Sequence, residues 1–154
     1  MPEFNSLHFG VVTYAEESVI EFPLGLPGFE NENRFVPIEQ PVNKPLVFLQ
    51  SLDRPEVCFP TLPMQAVFPD YQLSLSAEDL SVLGFAGDRQ PAAGRDVLCL
   101  TIIALAEDRP PAVNLLSPVV VNWENRRAVQ SIQTDSGYSH EQPLFDLMTA
   151  PVCS

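Results

Sequence analysis

Asp135-Ser136-Gly137 is the one triplet in this sequence with an enzyme's signature. It matches the Asp-Ser/Thr-Gly pattern of aspartic proteases, where two carboxylates share one proton because like charges about 3 Å apart cannot both ionise. A chain with a single copy would have to dimerise to assemble that pair. In those proteases the aspartate follows an apolar strand end, whereas Gln133 and Thr134 precede it here. An Asx-type turn closing a strand over residues 127–133 accounts for the same triplet. A dimeric acid protease using Asp135 is therefore a remote alternative, and no catalytic residue is assigned.

Other reactive groups are sparse. His8 and His140 are the only histidines, and no His/Cys/Asp spacing would close a metal site. No Gly-rich phosphate loop and no GxSxG elbow occurs, so no cofactor and no metal are expected. The cysteines are Cys58, Cys99 and Cys153, without a CxxC pair. Cys58 and Cys99 sit in apolar runs, where a reduced thiol behaves as a small hydrophobe. A disulfide between them is possible in principle, but a reducing cytoplasm is the better reading. The acidic clusters Glu16-Glu17, Glu30-Asn31-Glu32-Asn33 and Glu107-Asp108-Arg109 read as solvated loop tips.

The chain that positions these groups has 154 residues, enough for one domain. Hydrophobic residues make up 45%, which supplies a core. Twenty acidic side chains face eight basic ones, giving a net charge of −12, and Lys44 is the only lysine. Binding to a nucleic-acid backbone depends on Lys and Arg displacing counterions, so a direct nucleic-acid partner is not expected. Such a charge favours basic partners and keeps the chain away from anionic membranes. The longest apolar run, Val97–Ala106, is half of the roughly 20 residues a spanning helix needs. With no secretory pattern at the start, the expectation is a cytoplasmic protein, a monomer being favoured.

Sixteen prolines spread along the chain leave little room for long helices. Short Val/Ile/Leu/Phe runs between them predict about ten strands, over 7–14, 18–22, 34–39, 46–52, 56–62, 71–75, 96–106, 112–116, 119–123 and 127–133. The 71–75 strand alternates and should have one wet face. The 96–106 run does not, and should be covered on both faces or bend between two sheets. One short helix is expected near 77–83, with Ser76 as N-cap, Glu78 and Asp79 in the first turn and Gly84 at the left-handed cap. The fold class is all-β, an antiparallel and partly open barrel or sandwich. A single domain is expected over 1–142, with a loosely ordered tail over 143–154.

Two segments have more character than generic connections. Phe22-Pro23-Leu24-Gly25-Leu26-Pro27-Gly28-Phe29-Glu30 sets two Pro/Gly turns between aromatic anchors, and Asn114-Leu115-Leu116-Ser117-Pro118-Val119-Val120-Val121-Asn122 precedes Asn125-Arg126-Arg127-Ala128-Val129-Gln130. With Phe9-Gly10, Leu49-Gln50-Ser51-Leu52 and Phe68-Pro69-Asp70-Tyr71, their order and spacing resemble the flagellar assembly factor FliW family over nearly the whole chain. The resemblance implies a small, barrel-like, non-enzymatic cytosolic protein. FliW-like proteins bind newly made flagellin in a chaperone-like way, and bind the translational regulator CsrA so that it stops repressing flagellin translation. A diverged binding module recognising flagellin, or another secreted subunit, alone is the alternative. The protein-contacting residues implied are Phe22, Pro27, Gly28, Phe29, Asp70, Tyr71, Asn114, Asn122, Asn125 and Arg126. Turn geometry and backbone capping explain several of them as well. Asp70 and Tyr71 have an edge-strand character that could accept an extended segment.

Overall fold

A computed structural model describes residues 2–87, 89–134 and 136–148. It is an all-β protein whose strands pair antiparallel. A separate hairpin, β1 (Glu3–Ser6) with β2 (Gly10–Thr13), precedes the main sheet. That sheet is built from β3 (Ile20–Glu21), β4 (Arg34–Ile38), β5 (Val47–Ser51), β6 (Cys58–Pro63), β7 (Val97–Ala106), β8 (Arg109–Val113), β9 (Val119–Asn122), β10 (Ala128–Gln130) and β11 (Gln142–Pro143). Its main path runs β10-β9-β7-β6-β5-β4-β3, with β8 on β7 and β11 on β8. The sheet does not close. Its two ends meet at one parallel bridge, Glu21 to Arg127, where the Glu21 N–H donates to the Arg126 carbonyl at 2.9 Å. Three short helices complete the fold: α1 (Met64–Val67), α2 (Ala77–Leu83) and α3 (Leu144–Met148).

Stagger explains how so many prolines fit into strands. Pro60 lies opposite Phe48 of β5, in a part of β6 that β7 does not pair. Pro63 lies opposite Leu100 of β7, beyond the last residue that β5 pairs. Pro37 of β4 faces Leu49 of β5 and has no partner in β3. Each ring therefore sits where one strand edge is free and no N–H is wanted. Besides β6, the long β7 serves two partners along its length. Val97–Leu100 pairs with β9, and Ile103–Ala106 pairs with β8 through a register shift. Its first seven residues are buried or half-buried and its last three exposed.

Alternation divides the core. Val119 and Val121 of β9 join Ile20, Phe22, Phe35 and Leu49 inside the curved sheet. Val120, on the opposite face, packs with Leu80 and Leu83 of α2. The helix forms as expected over Ala77–Leu83: Ser76 Oγ accepts from the Asp79 N–H at 3.1 Å, and Gly84 takes φ 86°. The Phe85 N–H reaches the Leu80 carbonyl and the Gly84 N–H the Ser81 carbonyl, the paired bonds of a Schellman end.

The expected strand over 71–75 does not form; the segment belongs to no ladder. Its alternation is real, because Leu73 and Leu75 face the core. At Ser74 and Leu75, however, the backbone partners are side chains. The Gln133 carboxamide takes the Ser74 N–H and carbonyl at 2.8 and 2.9 Å, and that of Gln90 does the same for Leu75. The expected 18–22 strand shrinks to Ile20–Glu21 behind a 3-10 turn over Glu16–Ser18. Of the segment set apart as a tail, β11 pairs with β8, and Leu144 and Leu147 of α3 pack on the second core cluster. Residues 149–154 lie outside the described ones.

Cys58 and Cys99 are free thiols. Burial pushes Cys58 up to about 11 and Cys99 up to about 12, and raises the Tyr71 phenol as well. From about pH 8.5 upward, an unfolded chain sheds thiol protons that the folded one keeps. The native state then binds more protons than the unfolded state, so stability falls as pH rises. Thermal melts should therefore decline steadily from about pH 9 to 11, and native Cys99 should resist iodoacetamide near pH 8 until denaturant is added.

Candidate functional site

The segment from Phe22 to Glu30 folds as two consecutive turns. The Gly25 N–H donates to the Phe22 carbonyl at 2.9 Å, and the Phe29 N–H to the Leu26 carbonyl at 2.7 Å. Pro27 followed by Gly28 at φ 84° is the pattern of a type II turn. Phe22 is fully buried and meets Phe35 edge-on at 5.3 Å; Phe29 is half-buried and meets Phe59 edge-on at 5.2 Å. Two aromatic rings thus pin the turns to the barrel, while Pro27 and Gly28 stand exposed at the tip.

Across from this tip runs the last strand of the sheet path, β10. The Asn122 N–H donates to the Arg127 carbonyl and the Ser131 N–H to the Pro118 carbonyl. In an antiparallel ladder, residues 127, 129 and 131 therefore bond to β9, and 130 and 132 point their backbone groups away from it. Among the described residues, nothing pairs with the Gln130 N–H and carbonyl or with the Ile132 N–H. The side chains here reverse the usual order. Ser131 and Gln133 are buried at 0% and 2% exposure, while Ile132 between them is 61% exposed. An apolar residue outside, flanked by polar ones inside, is the informative kind of exception.

A groove lies between turn and edge. Its apolar floor is formed by Leu26, Pro27, Phe29 and Phe59, with Gln130 and Ile132 on the far wall. It continues past Pro27, Gln130 and Ile132 to Leu24, Glu30, Glu78 and Asp79. The lining carries three carboxylates and no Lys or Arg. Asp79 accepts from the Ser131 hydroxyl at 2.7 Å and Glu30 from the Gly28 N–H, whereas Glu78 is exposed. The arrangement offers a wet sheet edge, apolar contact area and negative potential.

The other residues singled out in the sequence are dispersed. Asn114 lines the groove, but its Oδ1 accepts the Leu116 and Ser117 N–H groups at 3.1 and 2.9 Å. Asn122 and Asn125 both donate through Nδ2 to the Leu83 carbonyl at 2.8 Å, tying the end of α2 to the β9–β10 loop. Asp70 is exposed, and Tyr71 lies in an aromatic group with Phe68 and Tyr138, its hydroxyl donating to the Leu115 carbonyl. Since 71–75 is no strand, the edge expected there is absent; a free edge lies instead at Gln130 and Ile132. Asp135 lies outside the described residues. Gln130, Ile132, Leu24 and Glu78 also line the groove, and in the sequence only the isolated Ile132 between two polar neighbours hints at it.

Arg126 occupies left-handed backbone at φ 61°, with its guanidinium 5.6 Å from the Trp123 ring centre. That backbone aims its carbonyl at Glu21 across the seam. Left-handed geometry costs a side-chain-bearing residue about 1–2 kcal/mol, and a β-branched one more. Denaturant titration should find Arg126→Gly within about 1 kcal/mol of the parent and Arg126→Val clearly less stable. The glycine variant then separates the backbone requirement from whatever the guanidinium does.

Comparison with known proteins adds one consistent result. The family model described as FliW protein matches residues 3–144. A flagellar assembly factor FliW from Syntrophomonas wolfei is 32% identical over 137 residues, covering 88% of this chain and 84% of the relative. One from Pseudothermotoga lettingae is 34% identical over 141 residues, covering 89% and 85%. The crystal structure of a flagellar assembly factor FliW superposes with a TM-score of 0.81 at 27% identity, covering 94% of this chain and 97% of that one.

Proposed function

The chain belongs to the FliW family, and from that premise we propose that it serves flagellar assembly by holding other proteins, with flagellin as one partner and the regulator CsrA as the other. Flagellin occupies it until export. Once released, the protein captures CsrA and lifts its repression of flagellin translation. It acts in the cytoplasm and catalyses no reaction.

The observation that carries this reading is the family match, which spans the barrel and both turn-rich segments. The physical chemistry agrees with it. A net charge of −12 draws a basic, RNA-binding regulator at long range. Exchange between two partners requires release on a useful timescale, which suits a modest, partly polar contact surface. The groove beside Pro27, Phe29 and Ile132 has that character, and no helix among the described residues is long and apolar enough to cross a membrane.

Isothermal titration of the protein with flagellin and with CsrA from its own organism tests the proposal. Each should bind, and saturation with flagellin should block CsrA. Binding to neither overturns the reading. Binding to flagellin alone reduces it to the narrower module.

A further inference from the structure

Resting on the reading that this chain works by holding proteins, we propose that the groove takes an extended segment of a partner as an added strand along the free edge at Gln130 and Ile132, with a Lys or Arg of that segment set against Glu78 and Glu30. The edge presents the Gln130 N–H and carbonyl and the Ile132 N–H, two residues and about 7 Å apart. Only an extended chain offers matching groups at that spacing. A helix spends its backbone groups on itself and would cover these ones without pairing them, leaving each desolvated and unsatisfied.

The flanks fix the rest of the ligand. Alternate side chains of an added strand point to one face, which here is the apolar surface of Pro27, Phe29 and Ile132. The Ile132 side chain already stands where a cross-strand neighbour would cover it. At the α2 end, Glu78 is exposed and Glu30 and Asp79 are near, with no cation in the lining to neutralise them. The occupant is therefore a stretch of about four extended residues, alternately apolar, ending in a basic side chain. Sheet edges are usually blunted by Lys, Pro or a bulge. Gln130 and Ile132 supply none of these.

The test uses the whole protein and a fluorescein-labelled probe, the hexapeptide Lys-Val-Thr-Val-Thr-Val. Two versions carry N-methyl groups on alternate amides, one on the odd set and one on the even set. Strand addition uses one peptide edge only, so one version should lose at least about tenfold in affinity while the other stays within about twofold. Replacing the probe's Lys by Glu should weaken binding several-fold, more at low salt. Amide exchange at Gln130 and Ile132 should slow in the complex, and Ile132→Ala, a change at an exposed side chain, should reduce probe affinity without altering the melt. Equal effects of the two methylation patterns, unchanged exchange at those amides, or no binding up to about 1 mM overturns the proposal. Indifference to the Lys-to-Glu change overturns its charge component. Full-length partners that bind Ile132→Ala as tightly as the parent would sink this inference and leave the flagellar reading intact. A probe that binds while flagellin and CsrA do not would do the reverse.

Discussion

Gly25→Ala should lower stability by about 3 kcal/mol and the melting temperature by about 10 °C, while Gly28→Ala, three residues away, should cost only about 1 kcal/mol. Both glycines have positive φ, +69° and +84°. That conformation alone accounts for about 1 kcal/mol when a Cβ is added. Their surroundings separate them. A Cβ on Gly25 would stand 2.6 Å from Glu30 Cα and 2.7 Å from the Glu30 carbonyl oxygen, whereas one on Gly28 would meet nothing within 4 Å. The obstacle at Gly25 is backbone, so relief requires separating the two turns from each other. Doing so shifts Pro27 and Phe29, and partner affinity should fall along with the melt. Paired calorimetric scans of the two variants decide the matter; equal losses would mean that the close approach at Glu30 carries no weight.

Gln50→Leu should be comparably damaging, at about 3 kcal/mol, although it replaces a fully buried polar side chain by an apolar one of similar size. The carboxamide oxygen of Gln50 accepts from the Ser6 hydroxyl at 2.8 Å. Its nitrogen lies 3.0, 3.2 and 3.1 Å from the carbonyls of Ser51, Pro55 and Val57. With two hydrogens for three acceptors, it ties the whole 51–57 loop together. Ser6 Oγ in turn accepts the His8 and Phe9 N–H groups. Leucine would strand these groups away from water, and a network's loss exceeds that of one bond. Ser6→Ala removes the bond to Gln50 and the two that hold the His8 and Phe9 N–H groups, but leaves the 51–57 carbonyls satisfied, and should cost less, about 2 kcal/mol. Amide exchange in the 51–57 loop should accelerate in Gln50→Leu well beyond its rate in Ser6→Ala.

Local chemistry was readable in the sequence, and remote chemistry was not. The two turns between Phe22 and Phe29 and the helix Ala77–Leu83 depend on residues within a few positions of each other, and proline, glycine and the Ser76 hydroxyl announce them. The burial of the first seven residues of β7 followed from a run too apolar to alternate. Alternation in 71–75 indicated correctly which residues turn inward, but no pattern within five residues can say what pairs with their backbone. The same limit hid the groove. Ile132 reads as one apolar residue in a polar stretch until Ser131 and Gln133 are seen to be buried. Asn122 and Asn125 illustrate the converse: they stand out as surface asparagines, and their amides are spent on Leu83 across some forty residues of chain.

The carboxamides of Gln133 and Gln90 flank the 73–75 stretch where neighbouring strands would otherwise lie. Main-chain pairing is indifferent to side-chain identity, because every residue except proline brings the same donor and acceptor. Here the pairing is written in two codons far from the segment it fixes. A substitution at position 90 or 133 edits the secondary bonding of a stretch whose own residues are untouched, so this part of the barrel wall can be loosened genetically without altering its sequence.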